Sequence, residues 1–184
     1  APMLEEACAR FESLPDPLPW IRLMDLLAAL RLDCGADPAG LLAGVRDRLG
    51  QRPEFAAEPI GQEVLSTVRF LEAKVAARAG LKEEALRLLR EAIPAFDRAG
   101  NLDDASAARL LMVRLGVPEG AEVARKALED ARTIRHDCIQ SEALAAMARL
   151  EALAGREAEA RARLAESIEG GRRVTEGTEI IRVL

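Results

Sequence analysis

The stretch AGLKEEALRLLREA, residues 79–92, carries the pattern that decides the fold, because two later stretches repeat it. These are LGVPEGAEVARKAL (115–128) and AGREAEARARLAES (154–167). In the helix that each stretch begins, a small residue is followed by a leucine four positions later and by a second small residue seven positions later. This spacing places all three on one face of the helix. The triplets are Ala85/Leu89/Ala92, Ala124/Leu128/Ala131 and Ala160/Leu164/Ser167. Small residues let helices approach closely, and such a unit cannot bury its apolar face alone, so neighbouring units are expected to stack.

The rest of the chain also favours helices, since Ala, Leu, Glu and Arg dominate it and β-branched residues seldom alternate. We therefore predict an all-α protein of about nine helices. The predicted ranges are 3–14, 19–33, 37–49, 61–79, 82–98, 102–115, 118–134, 139–154 and 156–170. Glycines stand where these helices should end, at residues 35, 50, 80, 100, 116 and 155.

Two prolines interrupt the stretch GQRPEFAAEPI (50–60), which lacks apolar periodicity and is predicted to be irregular. Pro94 lies inside a predicted helix and is expected to kink its last turn or to end it early. The end of the chain, 171–184, follows Gly170 and lacks a long apolar stripe, so we expect a tail there.

The repeated residues resemble the tetratricopeptide repeat family, whose repeats place a small residue midway along the first helix, a glycine at the turn and a small–large–small stripe. Ala73, Gly80, Ala85, Leu89 and Ala92 match one repeat. Another is matched by Leu144, Met147, Ala148, Gly155, Ala160 and Leu164. Residues 92–110 are similar to the longer repeats of large bacterial transcriptional regulators.

This resemblance implies a right-handed solenoid of antiparallel helix pairs that binds partners along a concave groove. It divides the chain into a divergent N-terminal helical part (1–60), three helix pairs (61–170) and the C-terminal tail (171–184). The implied activity is protein–protein interaction, as a scaffold or as a regulatory domain. The alternative is a domain of a bacterial regulator that senses a small molecule or a signal peptide.

The resemblance also implies which residues line the groove, namely those 13, 10, 6 and 2 positions before each turn glycine. They are Thr67, Phe70, Lys74 and Arg78; Asp103, Ser106, Leu110 and Arg114; and Glu142, Ala145, Arg149 and Leu153. Lys74, Arg78, Arg114 and Arg149 would supply positive charge for an acidic peptide, and Phe70 and Leu110 would supply apolar contact. The alternative is that these cations are ordinary solvated helix charges, several of them paired with nearby glutamates.

Charge and composition exclude several other classes. The formal net charge is −5 and the pI is about 5.2, which argues against nucleic acid as a direct partner. No uncharged apolar run is long enough for a transmembrane helix, and the N-terminus lacks the pattern of a secretory signal, so no membrane association is expected. The three cysteines are far apart in sequence, which favours reduced thiols and a cytoplasmic location.

No pattern of residues indicates an enzyme, a cofactor or a metal. His136 and Cys138 form a lone H-x-C pair, whereas a zinc site needs at least three protein ligands. Gly35 and Gly40 have the spacing of a phosphate-binding loop, but leucines stand where its Lys and its Ser or Thr should be.

Trp20 opens the predicted helix 19–33, and Met24 follows one turn later. These residues belong either to the core or to an exposed apolar interface, used by a partner or by a second copy of the chain in a homodimer. Phe55 and Ile60 would cover this face if it belongs to the core.

Overall fold

A computed structural model describes the backbone of residues 18–183 and the side chains of residues 18–172. Within this range all regular secondary structure is α-helical, as predicted, and the predicted helix 3–14 lies outside it. The helices are α1 (Leu18–Asp33), α2 (Ala39–Gly50), α3 (Pro53–Ala57), α4 (Pro59–Arg78), α5 (Lys82–Ala99), α6 (Leu102–Arg114), α7 (Gly120–Thr133), α8 (Asp137–Leu153) and α9 (Glu157–Val183).

The chain forms two compact units, of which the first ends at Ala99. In this first unit α1 packs against α2, and both helices pack against α4, which also pairs with α5. The hydrophobic core of this unit lies between α1, α2 and α4. Its buried side chains are Trp20, Ile21, Met24, Ala28 and Leu32 from α1, Leu42, Val45 and Leu49 from α2, and Val64, Val68 and Leu71 from α4.

The second unit begins at Gly100 and contains α6 to α9. Each of its helices packs against the next, and α6 also contacts α8. Its core joins Leu110 of α6 to a face of α7 and a face of α8. The buried side chains of these two faces are Ala127, Leu128 and Ala131, and Ile139, Ala143 and Leu144.

A left-handed residue follows most of the helices. Gly35, Gly80, Gly100, Gly116 and Gly155 have φ between 70° and 76°, a region in which only glycine escapes a steric penalty, so these predicted helix ends are confirmed. The predicted helix end at Gly50 is also confirmed, since Gly50 is the last residue of α2, but here the chain continues in right-handed conformation through Gln51. Arg135, at φ 56°, ends α7 in the manner of the glycines.

Three helix predictions differ from the structure. The stretch predicted to be irregular contains the short helix α3, which Pro53 opens, and Pro59 opens α4 directly afterwards. Of the two outcomes predicted for Pro94, an early end of the helix does not occur, because α5 continues to Ala99 with Ala95 and Phe96 buried in its last turns. α9 does not end at residue 170 and continues to Val183, and it packs against α8 at Gly171, where an added Cβ would lie in ordinary contact with the Ser141 hydroxyl at 3.6 Å.

Candidate functional site

A cavity of about 330 Å³ opens in the second unit between α6 and α8. It brings together predicted groove positions from two separate segments of the chain. From α6 these are Leu110 and Arg114, and from α8 they are Glu142, Ala145, Arg149 and Leu153. The remaining lining residues are Val113, Gly116, Ala146 and Leu150. We call this the α6–α8 cavity.

The cavity exists because α7 holds α6 and α8 side by side. The predicted small–large–small stripe of α7 is fully used, since Ala124, Leu128 and Ala131 are all buried. Leu128 and Ala131 share one core cluster with Leu110 of α6 and Leu144 of α8. The stripe therefore fixes the two helices whose neighbouring faces form the cavity.

The start of each wall helix is capped by a side chain. The Asn101 side chain accepts a hydrogen bond from the backbone N–H of Asp104 at 3.2 Å and so caps α6. His136 Nδ1 accepts one from the backbone N–H of Ile139 at 3.3 Å and so caps α8. Helix capping therefore explains the histidine of the H-x-C pair, and the Cys138 thiol is exposed.

The rim of the α6–α8 cavity carries opposite charges. Arg114 Nη2 lies 3.7 Å from Glu142 Oε2, and both side chains are more than half exposed, so this ion pair is weak. Arg149 differs, because no residue whose side chain the structure describes gives it a hydrogen bond or an ion pair. The site is thus an apolar depression beside a guanidinium group that lacks a counter-charge within residues 18–172.

The apolar lining of this cavity has a closed and an open part. Leu110 is only 2% exposed, so it forms the floor and belongs to the core rather than offering the free contact predicted for it. Leu153 is 76% exposed and stands at the edge. The open part of the apolar lining is therefore at Leu153.

Two further groove positions of α6 have local roles. The Ser106 hydroxyl is buried and donates to the backbone carbonyl of Leu102 at 2.6 Å. Asp103 is exposed, and its Oδ1 lies 3.5 Å from His136 Nε2. Neither residue lines the α6–α8 cavity.

The groove positions predicted in the first unit serve the fold. Phe70 is 3% exposed and packs edge-to-face against Phe96, with ring centroids 6.2 Å apart, so it is a core residue and not the open contact predicted. Lys74 Nζ lies 4.5 Å from the centroid of the Phe70 ring. The Arg78 guanidinium donates to the carbonyl of Leu32 near the C-terminus of α1, where a positive charge favours the helix dipole. Thr67 is half-buried and donates to the carbonyl of Glu63 at 3.3 Å.

The apolar interface predicted as an alternative for Trp20 and Met24 is also absent from that position, because both side chains lie in the core of the first unit. Phe55 packs against the same core, as expected. The exposed leucines of this helix are Leu26 and Leu30. Leu30 was predicted to share the apolar face of Met24, but half of its surface is exposed, and Leu26 was not singled out from the sequence.

No group of three or more His, Cys, Asp or Glu side chains suited to a metal ion occurs among the described residues. None of the helices in that range has the length and apolar character needed to cross a bilayer.

No family model, no curated protein and no solved structure matches this chain.

Proposed function

We propose that this protein is an interaction module, a scaffold or a regulatory domain, whose second unit binds an acidic segment of a partner protein at the α6–α8 cavity. The observation that carries this proposal is the meeting of Arg114 and Arg149 around one apolar cavity. Residues 110–114 and 142–153 converge there from two helices separated by α7. No catalytic role is part of the proposal.

The same proposal includes a repeat architecture. We take α4–α5, α6–α7 and α8–α9 as helix pairs of a right-handed, tetratricopeptide-like solenoid. Support comes from the three recurring stripes, from the left-handed residues that end the helices, and from the contact of α6 with α8 across α7 in the second unit. The exposed thiols of Cys34 and Cys138, both free, support a cytoplasmic location.

Charge argues for an acidic partner. A carboxylate approaching the rim can pair with Arg149 in a bidentate geometry and can replace Glu142 as the partner of Arg114. Because the whole chain has a net charge of −5, this attraction must be local, and it should weaken as salt screens it. The apolar lining adds contact area beside the charge.

The test is a comparison of two charge-reversal variants. A random peptide library is panned on the wild-type protein, and the Kd of the most enriched peptide is measured by fluorescence anisotropy. We expect Arg114→Glu with Arg149→Glu to weaken binding roughly ten-fold or more, since the partner's carboxylate then faces like charge.

The matched control reverses Arg90 and Arg156, which are exposed and lie outside the α6–α8 cavity. This variant has the same net charge as the first, so a purely global charge effect would weaken both equally. Equal binding by both variants, or enrichment of no peptide at all, would overturn the proposal.

A second function, sensing of a small molecule or a signal peptide, is favoured by the volume of the cavity. At about 330 Å³ it falls within the range of roughly 300–1,000 Å³ that is typical of ligand pockets. A small molecule that binds there should raise the melting temperature with no other protein present. Ala145→Trp, which fills the cavity, should abolish that increase, and an increase that survives this change would exclude the cavity as the sensing site.

A further inference from the structure

A second cavity, of about 630 Å³, lies on the other side of α8, between α8 and α9. We call it the α8–α9 cavity. It shares Ala145 and Arg149 with the α6–α8 cavity. Its other lining residues are Ala148, Ala152, Glu157, Ala160, Arg161 and Leu164. Ala145 and Arg149 therefore lie on the part of α8 that borders both cavities.

The leucine of the third stripe lines the α8–α9 cavity and is only half-buried by the fold. Leu89 and Leu128, its counterparts in the first two stripes, are buried. Leu164 is 48% exposed, although Ala160 and Ser167 beside it are buried. An apolar side chain from outside the described residues can therefore pack here without displacing any core contact.

Arg149 lines both cavities, and no carboxylate among residues 18–172 neutralises its charge. The other arginines around it pair with glutamates: Arg114 with Glu142, Arg161 with Glu157 at 3.4 Å, and Arg163 with Glu151 at 2.6 Å. Arg149 has no such partner among residues 18–172. A carboxylate placed between the cavities would complete the local charge balance.

We infer that the partner segment is a short extended stretch with one carboxylate between two apolar side chains, each of which enters one cavity. The carboxylate pairs with Arg149, one apolar side chain contacts Leu153, and the other contacts Leu164. An α-helix is roughly 10 Å wide and an extended chain advances about 3.3 Å per residue, so the apolar residues should lie about three or four positions apart. This inference rests on the proposed function, because it uses the α6–α8 cavity as one of its two subsites.

Two exposed leucines separate the subsites experimentally. Leu153 lines only the α6–α8 cavity, and Leu164 lines only the α8–α9 cavity. A phage-displayed library of random peptides is panned on the wild-type protein, and the Kd of the most enriched peptide is then measured. We expect Leu153→Ser and Leu164→Ser each to weaken binding about ten-fold.

Leu26→Ser is the matched control, since Leu26 is 57% exposed and lies in the first unit. It should leave the Kd unchanged. Circular dichroism and melting curves of all three variants establish that the loss of binding is not a loss of folding.

A change of specificity tests the role of Arg149. The same library panned on Arg149→Glu should enrich a basic residue where the wild type enriches an acidic one, because the new carboxylate repels the original peptide and attracts its opposite. Enrichment of the same acidic peptides by both proteins would overturn the assignment of the carboxylate to Arg149.

The possible outcomes distinguish this inference from the proposed function. If Leu153→Ser weakens binding and Leu164→Ser does not, the α8–α9 subsite is wrong and the proposed function stands. If neither leucine change has an effect while Arg114→Glu with Arg149→Glu still weakens binding, this inference fails and the proposed function stands. If no peptide is enriched, both fail. Apolar residues enriched seven positions apart would indicate a helical segment and would overturn the extended form.

Discussion

Asp130 in α7 is a buried carboxylate with two cationic partners. Its Oδ2 accepts a hydrogen bond from Arg109 at 2.6 Å, its Oδ1 accepts one from Lys126 at 2.7 Å, and both Asp130 and Arg109 are buried. The pair joins α6 to α7. A buried pair of this kind costs desolvation energy, so its main effect is to penalise the loss of either partner.

We therefore expect Arg109→Leu and Asp130→Leu to lower the free energy of unfolding by about 3–5 kcal/mol each, because each leaves a charge buried without its main partner. The double variant should lose less than the sum of the two. Urea unfolding followed by circular dichroism measures all three. Additive losses would show that the two charges do not stabilise each other.

Glu84 and Arg87 form an exposed pair in the first turns of α5. Arg87 Nη2 and Nε donate to the Glu84 carboxylate at 2.7 and 3.0 Å, and this hydrogen bonding holds the pKa of Glu84 below its ordinary value. A carboxyl whose pKa is lower in the folded state stabilises that state above its unfolded pKa. That contribution is lost as the pH falls through the lowered value. Solvent keeps the contribution small.

Arg87→Ala should accordingly raise the pKa of Glu84 towards that of an isolated glutamate. The measurement is an NMR titration of the side-chain carboxyl carbon. Arg90→Ala removes another arginine of the same helix and keeps the Glu84–Arg87 hydrogen bonds, so it should shift that pKa much less. Equal shifts in the two variants would mean that long-range charge, rather than hydrogen bonding, lowers the pKa.

The sequence pointed to residues that line the cavity, but it did not distinguish the buried ones from the exposed ones. Leu110 belongs to the run Leu110–Val113, in which polarity gives no contrast between a core face and a groove face. Asp130 was missed because Glu129 and Arg132 surround it and suggest a solvated turn. Its neighbour Ala131 in the small–large–small stripe was the available sign of a buried face.

At the scale of the helices, the turn after α7 differs from the other left-handed helix ends, because its left-handed residue is Arg135 and not a glycine. The backbone N–H of Arg135 donates to the carbonyl of Arg132 at 3.2 Å, and that of His136 donates to the carbonyl of Ala131 at 2.9 Å. The same two bonds close the turn at Gly80, where they measure 3.1 and 2.9 Å. Arg135 thus adopts a glycine conformation at a steric cost.

Arg135→Gly should remove that cost and raise the free energy of unfolding by about 1 kcal/mol. Differential scanning calorimetry or urea unfolding would detect the change. Gly80→Ala is the reciprocal variant: nothing lies within 4 Å of an added Cβ, so any loss of stability reports backbone conformation alone. An unchanged or less stable Arg135→Gly protein would show that the arginine side chain offsets the strain.

Helix positions were predictable where the apolar periodicity was strong, as in α5 and α7. The five-residue α3 was not predicted, because PEFAA is too short to show a period and contains a proline. The extension of α9 was not predicted either, since a glycine pair normally ends a helix. Here Ser141 and Ser167 exchange hydrogen bonds between α8 and α9 one turn before the glycines, and this contact holds the helix in place.

For the whole molecule, the all-α class followed from composition and periodicity, but the division into two units did not. The boundary between Ala99 and Gly100 falls within the predicted repeat region 61–170. The repeats are alike on both sides of it, so sequence similarity gives no reason to divide the chain there. Separation follows from packing, because each unit has its own core cluster.

Residues 100–184 should therefore fold without the rest of the chain. We expect this fragment to be helical, to unfold cooperatively in urea and to bind the peptide enriched on the full chain with a similar Kd, since both cavities lie within it. Circular dichroism and fluorescence anisotropy test both points. A fragment with gradual, non-cooperative unfolding would show that the second unit requires the first.

The turns described above also matter for protein engineering. At Gly80 and Gly155, both closing hydrogen bonds join backbone atoms only. The path of the chain through these turns is thus independent of the side chains that line the cavities. A designer who holds the glycines fixed can randomise Ala145, Arg149, Leu153 and Leu164 together and select new binding specificities on an unchanged framework.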